Sequence, residues 1–250
     1  MIEVKDIFKK FGDNEVLKGI TADFKPGVTS LIIGSSGSGK TTLMKNMVGL
    51  HEPNSGKVFY DDRDFTSMDT HERITIRQEI GMLFQGSALF DSMTVEKNIR
   101  FPLDMFTEQS KAEKLDRVND VLERVNLAGK NKLYPSELSG GMMKRVGIAR
   151  AIAMRPKYLF CDEPNSGLDP KSSIMIDELV AEITKEYDIT TVIVTHDMNS
   201  VMGIGEHILF LHQGEKWWEG SKDEITTTDN KELNEFVFAT QLMETLLKKK

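Results

Sequence analysis

Residues 2–25 alternate apolar and polar positions, the period-two pattern of half-buried antiparallel strands. After the turn Pro53-Asn54-Ser55-Gly56, residues 57–60 read as one more strand of this kind. Leu31-Ile32-Ile33 differs: it is a short, wholly apolar run bounded by glycine, as in a strand buried on both faces. Similar runs recur at 81–84, 158–161 and 191–195. Between them the apolar spacing turns helical. Residues 40–50 predict a helix behind a glycine-rich loop. Ser110 and Glu113 form a capping-box pair opening a helix with Leu115, Val118, Val121, Leu122 and Val125 on one face. Ile176, Leu179, Val180 and Ile183 make another such stripe. Residues 208–211, Gln213-Gly214 and residues 216–218 predict a hairpin.

Strands alternating with helices predict an α/β fold with a parallel core sheet covered on both faces. An N-terminal antiparallel β subdomain precedes it, and a mostly helical subdomain, residues 86–153, is inserted. Residues 1–230 then form one domain. Residues 231–250 predict a C-terminal helix carrying Leu233, Phe236, Val237, Thr240, Met243 and Leu247 at helical spacing.

Composition narrows the function. A length of 250 residues suits one large α/β domain, and the single cysteine excludes a disulfide framework or a Cys-based zinc site and fits a reducing cytoplasm. The net charge of −7 argues against a chain built to grip DNA or RNA, so no nucleic-acid partner is expected. The apolar runs are strand-length, and the start MIEVKDIFKKFG is too charged for a signal peptide. A membrane role is therefore expected only through a partner.

Gly34-Ser35-Ser36-Gly37-Ser38-Gly39-Lys40-Thr41 follows a buried strand and opens a helix, as a phosphate-binding loop does. Its glycines let backbone N–H groups curl around the β- and γ-phosphates of ATP. Lys40 supplies a positive charge to their oxygens, and the Thr41 hydroxyl suits Mg²⁺. Thr42 offers a further hydroxyl at the helix N-terminus. Farther along, Tyr158-Leu159-Phe160-Cys161-Asp162-Glu163-Pro164 delivers two carboxylates at the end of an apolar strand, where α/β sheets bind ligands. Asp162 suits the Mg²⁺ water shell, and Glu163 suits the water that attacks the γ-phosphate. Cys161 reads as a small buried hydrophobe. Ser139-Gly140-Gly141 opens a helix with Ser139 at the N-cap. Those residues fit a plain capped helix or a second phosphate site.

The set resembles the ABC ATPase family, a P-loop NTPase family. Leu138-Ser139-Gly140-Gly141-Met142 is similar to its signature motif, and the run ending Asp162-Glu163-Pro164 to its Walker B strand with the catalytic glutamate. Ser166-Gly167-Leu168-Asp169 resembles the D-loop, His196 the switch histidine, and Gln85 the Q-loop glutamine, a metal and water ligand. Phe11 matches the aromatic that stacks on adenine. The resemblance implies an ATP-hydrolysing homodimer, paired head to tail. Ser139, Gly140 and Gly141 of one copy would meet the ATP held by the other copy's phosphate loop.

Residues 81–103, with Gln85, the apolar Ser87-Ala88-Leu89-Phe90 and Phe101-Pro102-Leu103, are similar to ATPases of Mla/Mce-type phospholipid transporters. Met142 agrees with that subfamily. The resemblance implies a membrane permease whose coupling helix enters a socket at Ala88, Leu89 and Phe90. It also implies a lipid-binding Mce-domain protein as a further partner. The chain would lie in the cytoplasm, peripheral on the inner face of the membrane through that permease. Two alternatives stand beside it: another ABC importer, for amino acids or metal ions, and a non-transport ABC ATPase such as a cluster-assembly factor.

Overall fold

A computed structural model describes residues 1–237. In chain order it contains β1 (Ile2–Phe11), β2 (Asn14–Phe24), β3 (Thr29–Ile33), α1 (Lys40–Met47), β4 (Ser55–Tyr60), β5 (Arg63–Asp64), α2 (Glu72–Gln78) and β6 (Ile80–Leu83). Then come α3 (Val95–Phe106), α4 (Lys111–Arg124), α5 (Gly140–Ile152), β7 (Tyr158–Asp162), α6 (Pro170–Glu186), β8 (Thr190–Val194), α7 (Met198–Ile204), β9 (His207–His212), β10 (Glu215–Gly220) and α8 (Lys231–Val237). Thr240, Met243 and Leu247 of the expected C-terminal helix lie outside the described residues. The chain divides into two compact units. One holds Met1–Phe24, Thr29–Thr66 and the chain from Val194 on; the other holds Lys25–Val28 and Ser67–Ile193.

In the first unit the amphipathic strands form an antiparallel sheet, in the order β2-β1-β4-β5. Ile2 stands opposite Phe24 on one side and Tyr60 on the other, and all three are fully buried. Alternation along β1 slips once: Ile2 and Val4 face inward, but the next inward residue is Ile7. A β-bulge lies between Val4 and Ile7, with Asp6 at φ 51°. One extra residue re-phases the strand and returns Ile7 to the core.

The same unit places β3 parallel to β9, with Leu31 opposite Ile208 and Ile33 opposite Phe210. The expected hairpin is β9–β10, and both turn residues have positive φ, Gln213 at 49° and Gly214 at 84°. That handedness matches the twist of the flanking strands. Helix α1 ends at Met47, three residues short of the predicted 50. Gly49 turns left-handed there, and the Leu50 and His51 N–H groups both bond back to the Lys45 carbonyl. Helix α8 buries Leu233 and Val237, and the Phe236 ring meets Phe210 at 5.6 Å.

In the second unit β6 runs parallel to β7, with Ile80 opposite Tyr158 and Leu83 opposite Cys161. Helices α3, α4 and α5 pack on one another, and α5 also packs on β6 and α6. The capping box of Ser110 and Glu113 starts α4. Its buried stripe is Val118, Val121, Leu122 and Val125. Leu115, expected on that stripe, is 38% exposed. At 100° per residue it lies about 70° from the stripe's centre, against about 30° for Lys114. Lys114 is accordingly buried, its ammonium 3.3 Å from Asp104. Among the described residues no helix is long and apolar enough to cross a membrane.

Candidate active site

In the first unit, β3 leads into Gly34 and the loop closes at the start of α1. Gly34 has φ 145°, and a Cβ there would fall 2.2 Å from the Leu211 carbonyl oxygen, so only glycine fits. Lys40 is buried and donates to the carbonyls of Gly34 (2.8 Å) and Ser35 (2.9 Å). It thereby braces the arch of the loop. Ser35, Ser36 and Gly37 are exposed at its crest, Gly39 sits left-handed at the α1 N-cap, and Thr41 and Thr42 are half-buried in the first turn. The Ser38 Oγ is buried with no hydrogen-bond partner among the described residues. A buried hydroxyl beside a helix N-terminus and a lysine is satisfied by an anionic oxygen, so the cradle fits a phosphate chain.

Two other predicted residues belong to this unit. The Thr195 N–H donates to the Ile32 carbonyl at 3.2 Å, which brings exposed His196 to the end of β3 where the loop departs. Phe11 ends β1 and is 46% exposed. Its ring meets His51 edge-on at 5.3 Å, with the Lys9 ammonium 5.0 Å from its centroid.

In the second unit every residue of β7 is buried, so Asp162 arrives at the strand end with little solvent. Burial pushes the Cys161 thiol up to about 12, which makes it inert. Glu163 follows at φ 46°, a left-handed conformation that a side chain adopts at a cost. Its carboxylate accepts a 2.9 Å hydrogen bond from Gln85 Nε2, which also lies 3.4 Å from Ser166 Oγ. The predicted Gln85 and Glu163 are thus brought together. Among the described residues no group of three His, Cys, Asp or Glu side chains gathers to hold a metal. A Mg²⁺ ion takes one or two protein ligands plus substrate phosphates, and within this unit the Asp162 carboxylate and the Gln85 amide each suit that sparse mode.

Ser139 caps α5, its Oγ accepting from the Met142 N–H at 3.3 Å. Gly140 and Gly141 do not serve the fold of their own unit. A Cβ at either would make only ordinary contact, 3.4 Å from Leu168 and 3.6 Å from Ser172. What small residues leave there is open backbone at a helix N-terminus, suited to an anion from outside the unit. Asp169 caps α6 by accepting from the Ser172 N–H at 3.0 Å. The Ser172 hydroxyl beside it holds its carboxyl below the usual range.

Three residues of this unit carry no motif signal. Asn98 is fully buried and staples the loop after Gln85: its Oδ1 accepts from the Phe90 N–H, and its Nδ2 reaches the carbonyls of Phe90, Met93 and Thr94. Arg150 donates to the carbonyls of Ser87 and Ala88, both at positive φ. Lys144 donates to the carbonyls of Gln85 and Glu163. Burial pulls its ammonium below the ordinary lysine value, against the opposing pull of nearby Glu163 and Asp162. One signal was available for Lys144: it shares a helical face with Gly147, Ile148 and Ala151, where a cation is out of place. Beyond the Asn98 staple, Phe90 (40% exposed) meets Phe101 in a tilted ring contact at 4.9 Å, with Met105 and Phe106 exposed nearby in sequence.

The ABC transporter family matches residues 17–166. The chain is 36% identical to the probable ribonucleotide transport ATP-binding protein mkl of Mycobacterium leprae, over 94% of this chain and 68% of that protein. It is 39% identical to the methionine import ATP-binding protein MetN of Rhizobium johnstonii, over 88% of this chain and 60% of that protein. It therefore spans only part of the length of these relatives. Among solved structures it is similar to the dimeric ATP-binding cassette MJ0796 in a post-hydrolysis state bound to ADP and Pi. The TM-score is 0.81 and the identity 33%, over 89% of this chain and 99% of that one. The chain belongs to the ABC transporter family, as an ATP-binding cassette with the family's α/β P-loop fold and an ATPase activity coupled to transport.

Proposed function

We propose that this chain hydrolyses ATP as a head-to-tail homodimer and drives phospholipid through a membrane permease. The observation that carries the hydrolytic part is the 2.9 Å hydrogen bond from Gln85 to the carboxylate of Glu163 at the buried end of β7. A carboxylate presented there can take the proton of an attacking water, and an amide beside it can orient that water. Lys40, the Ser38 hydroxyl and the loop N–H groups hold the phosphates, with Phe11 against adenine. Thr41, Asp162 and Gln85 would hold Mg²⁺, which when bound neutralises charge developing on the phosphates. Gln85 must release Glu163 to do so, and the same exchange frees the carboxylate for water. His196 contacts the γ-phosphate of its own copy, while Ser139, Gly140 and Gly141 reach the one bound by the other copy. In this reading residues 1–230 act as the ATPase domain and residues 86–153 as its helical insertion, while the C-terminal helix expected over residues 231–250 is described only as far as Val237.

The partner reading is supported by the expected socket after Gln85, where Ala88 and Phe90 are exposed and Leu89 is half-buried, with Phe90 against the exposed Phe101, a surface that suits an amphipathic helix of a permease. The permease would hold the chain on the inner face of the membrane, with a lipid-binding Mce-domain protein completing the complex. The lipid substrate rests on the likeness of residues 81–103 to phospholipid-transport ATPases. A second reading, import of a small polar solute, is favoured by the methionine and ribonucleotide named for the two relatives.

Glu163→Gln tests the chemistry. It should keep ATP binding, trap a dimer and lower turnover by about a hundredfold or more. Hydrolysis at the wild-type rate rejects the assignment. Mass spectrometry of lipid co-purified with the membrane complex, beside uptake of labelled methionine and ribonucleotide, separates the two substrates.

A further inference from the structure

Lys144 is an unusual residue to find where it is. It lies in the second turn of α5, almost wholly buried, between Met143 and the apolar positions Val146 and Ile148. Burying an ammonium is costly unless its donors are used. The common solution is a carboxylate partner. Here the donors go instead to two main-chain carbonyls, those of Gln85 and, at 3.3 Å, of Glu163. These are 59 and 19 residues away along the chain. They are also the two residues whose side chains bond to each other at 2.9 Å. The result is a closed ring of three: Lys144 holds both backbones, and the two side chains meet on the far side.

Two further features show that the ring is held under constraint. Glu163 keeps a left-handed backbone that its side chain does not favour, so an outside contact on its carbonyl has something to hold. Helix α5 is also pressed close to β6, the strand that leads into Gln85. A Cβ at Gly147 would fall 2.6 Å from Leu83 Cδ1 and 3.4 Å from the Ser87 Cβ. Glycine there lets the helix approach near enough for Lys144 to span both carbonyls.

We propose that Lys144 is a positioning residue for ATP hydrolysis, a clamp on the main chain of Gln85 and Glu163 that sets the spacing of the two side chains handling the attacking water. The inference rests on the roles given above to Gln85 and Glu163. The donors of Lys144 go to the Gln85 and Glu163 carbonyls. Lys144 acts through those two residues, so its loss should appear in turnover and not in ATP affinity. A misplacement of an ångström at reacting groups is enough to cost rate on that scale.

The test uses the full chain and steady-state ATP hydrolysis. Lys144→Met keeps the length of the side chain and removes the donors. It should lower kcat by about tenfold or more while leaving KM for ATP within about twofold. Lys144→Arg, which keeps donors, should recover much of that loss. In a Gln85→Ala background, where the spacing no longer matters, Lys144→Met should cost less than about threefold, because residues acting as one unit are not additive. Wild-type kcat in Lys144→Met, or an undiminished loss in the Gln85→Ala background, overturns the proposal. Thermal unfolding of each variant accompanies the kinetics. If Lys144→Met and Lys144→Gln both lose the fold, the lysine is structural and the proposal falls. Glu163→Gln is measured in parallel. If it is inactive while Lys144→Met is normal, only the clamp is wrong. If Glu163→Gln still turns over, the site reading fails and takes the clamp with it.

Discussion

Arg150 donates a 2.7 Å hydrogen bond to the Ser87 carbonyl, and its second guanidinium nitrogen donates another of 2.7 Å to Ala88. Residues 63 and 62 positions apart are thereby fixed as a fork. Ser87 and Ala88 both have positive φ, which neither prefers, and the fork holds that shape. The loop carries the apolar residues assigned to the permease. Arg150 thus ties the helix that begins at Ser139 to the surface where transport would be coupled.

A lysine at position 150 cannot reproduce a planar fork. Arg150→Lys should keep ATP affinity and basal hydrolysis within about twofold while lowering the stimulation of hydrolysis by the reconstituted permease severalfold. Equal loss of basal and stimulated rates would place Arg150 in the chemistry instead.

Asn98 satisfies four backbone groups of residues 90–94 from a fully buried position. Asn98→Leu keeps the branched shape but removes the partner of the Phe90 N–H and of the Met93 carbonyl, while the Phe90 and Thr94 carbonyls keep the Met93 and Asn98 N–H groups. It should destabilise the chain by about 1–3 kcal/mol in urea unfolding. A change within experimental error would mean that the loop pairs them in some other way.

Ser139 has a structural role and a proposed chemical one, and they differ in size. As the N-cap of α5 its hydroxyl is worth about 1 kcal/mol, so Ser139→Ala should lower stability by that much and no more. If the hydroxyl also meets ATP held by the second copy, hydrolysis should fall by about tenfold or more at a temperature where the variant is fully folded. A rate that merely tracks the folded fraction would leave only the cap.

Cys161 has a clear pH signature. Burial raises its thiol from an ordinary value near 9.0 to about 12. The folded chain therefore keeps a proton that the unfolded chain loses first. That contribution to stability is fully present below pH 9 and is lost as pH rises toward 12. Unfolding free energy should fall across that window more steeply in the wild type than in Cys161→Ala. Below it, a thiol reagent should react only after denaturation. Rapid labelling of the native chain at pH 8 would contradict the burial.

The site divides along a physical line. What lies within a few consecutive residues was legible in the sequence, because local backbone geometry decides it. The phosphate loop needs its glycines for φ and its lysine for charge, wherever it occurs. The caps at Ser110 and Ser139 depend on residues three positions apart, and the turn at Gln213-Gly214 on two adjacent ones. Period two and helical spacing named the strands and helices for the same reason.

Tertiary packing decided the rest. The bulge at Asp6 and the outward Leu115 follow from which face meets a neighbour, and spacing alone cannot weigh that. Gln85 meets Glu163 only because β6 and β7 lie side by side in register. The partners of Lys144, Arg150 and Asn98 make no pattern in the sequence, since the groups they hold are main-chain atoms that every residue carries; only the place of Lys144 on an apolar helical face marks it out. The chain's own letters carried the marks of an ATP-binding cassette and its phosphate loop. The fold determined which side chains hold Gln85, Glu163 and the loop at Ser87 and Ala88 in place, because those contacts exist only once distant segments have been brought within reach of one another.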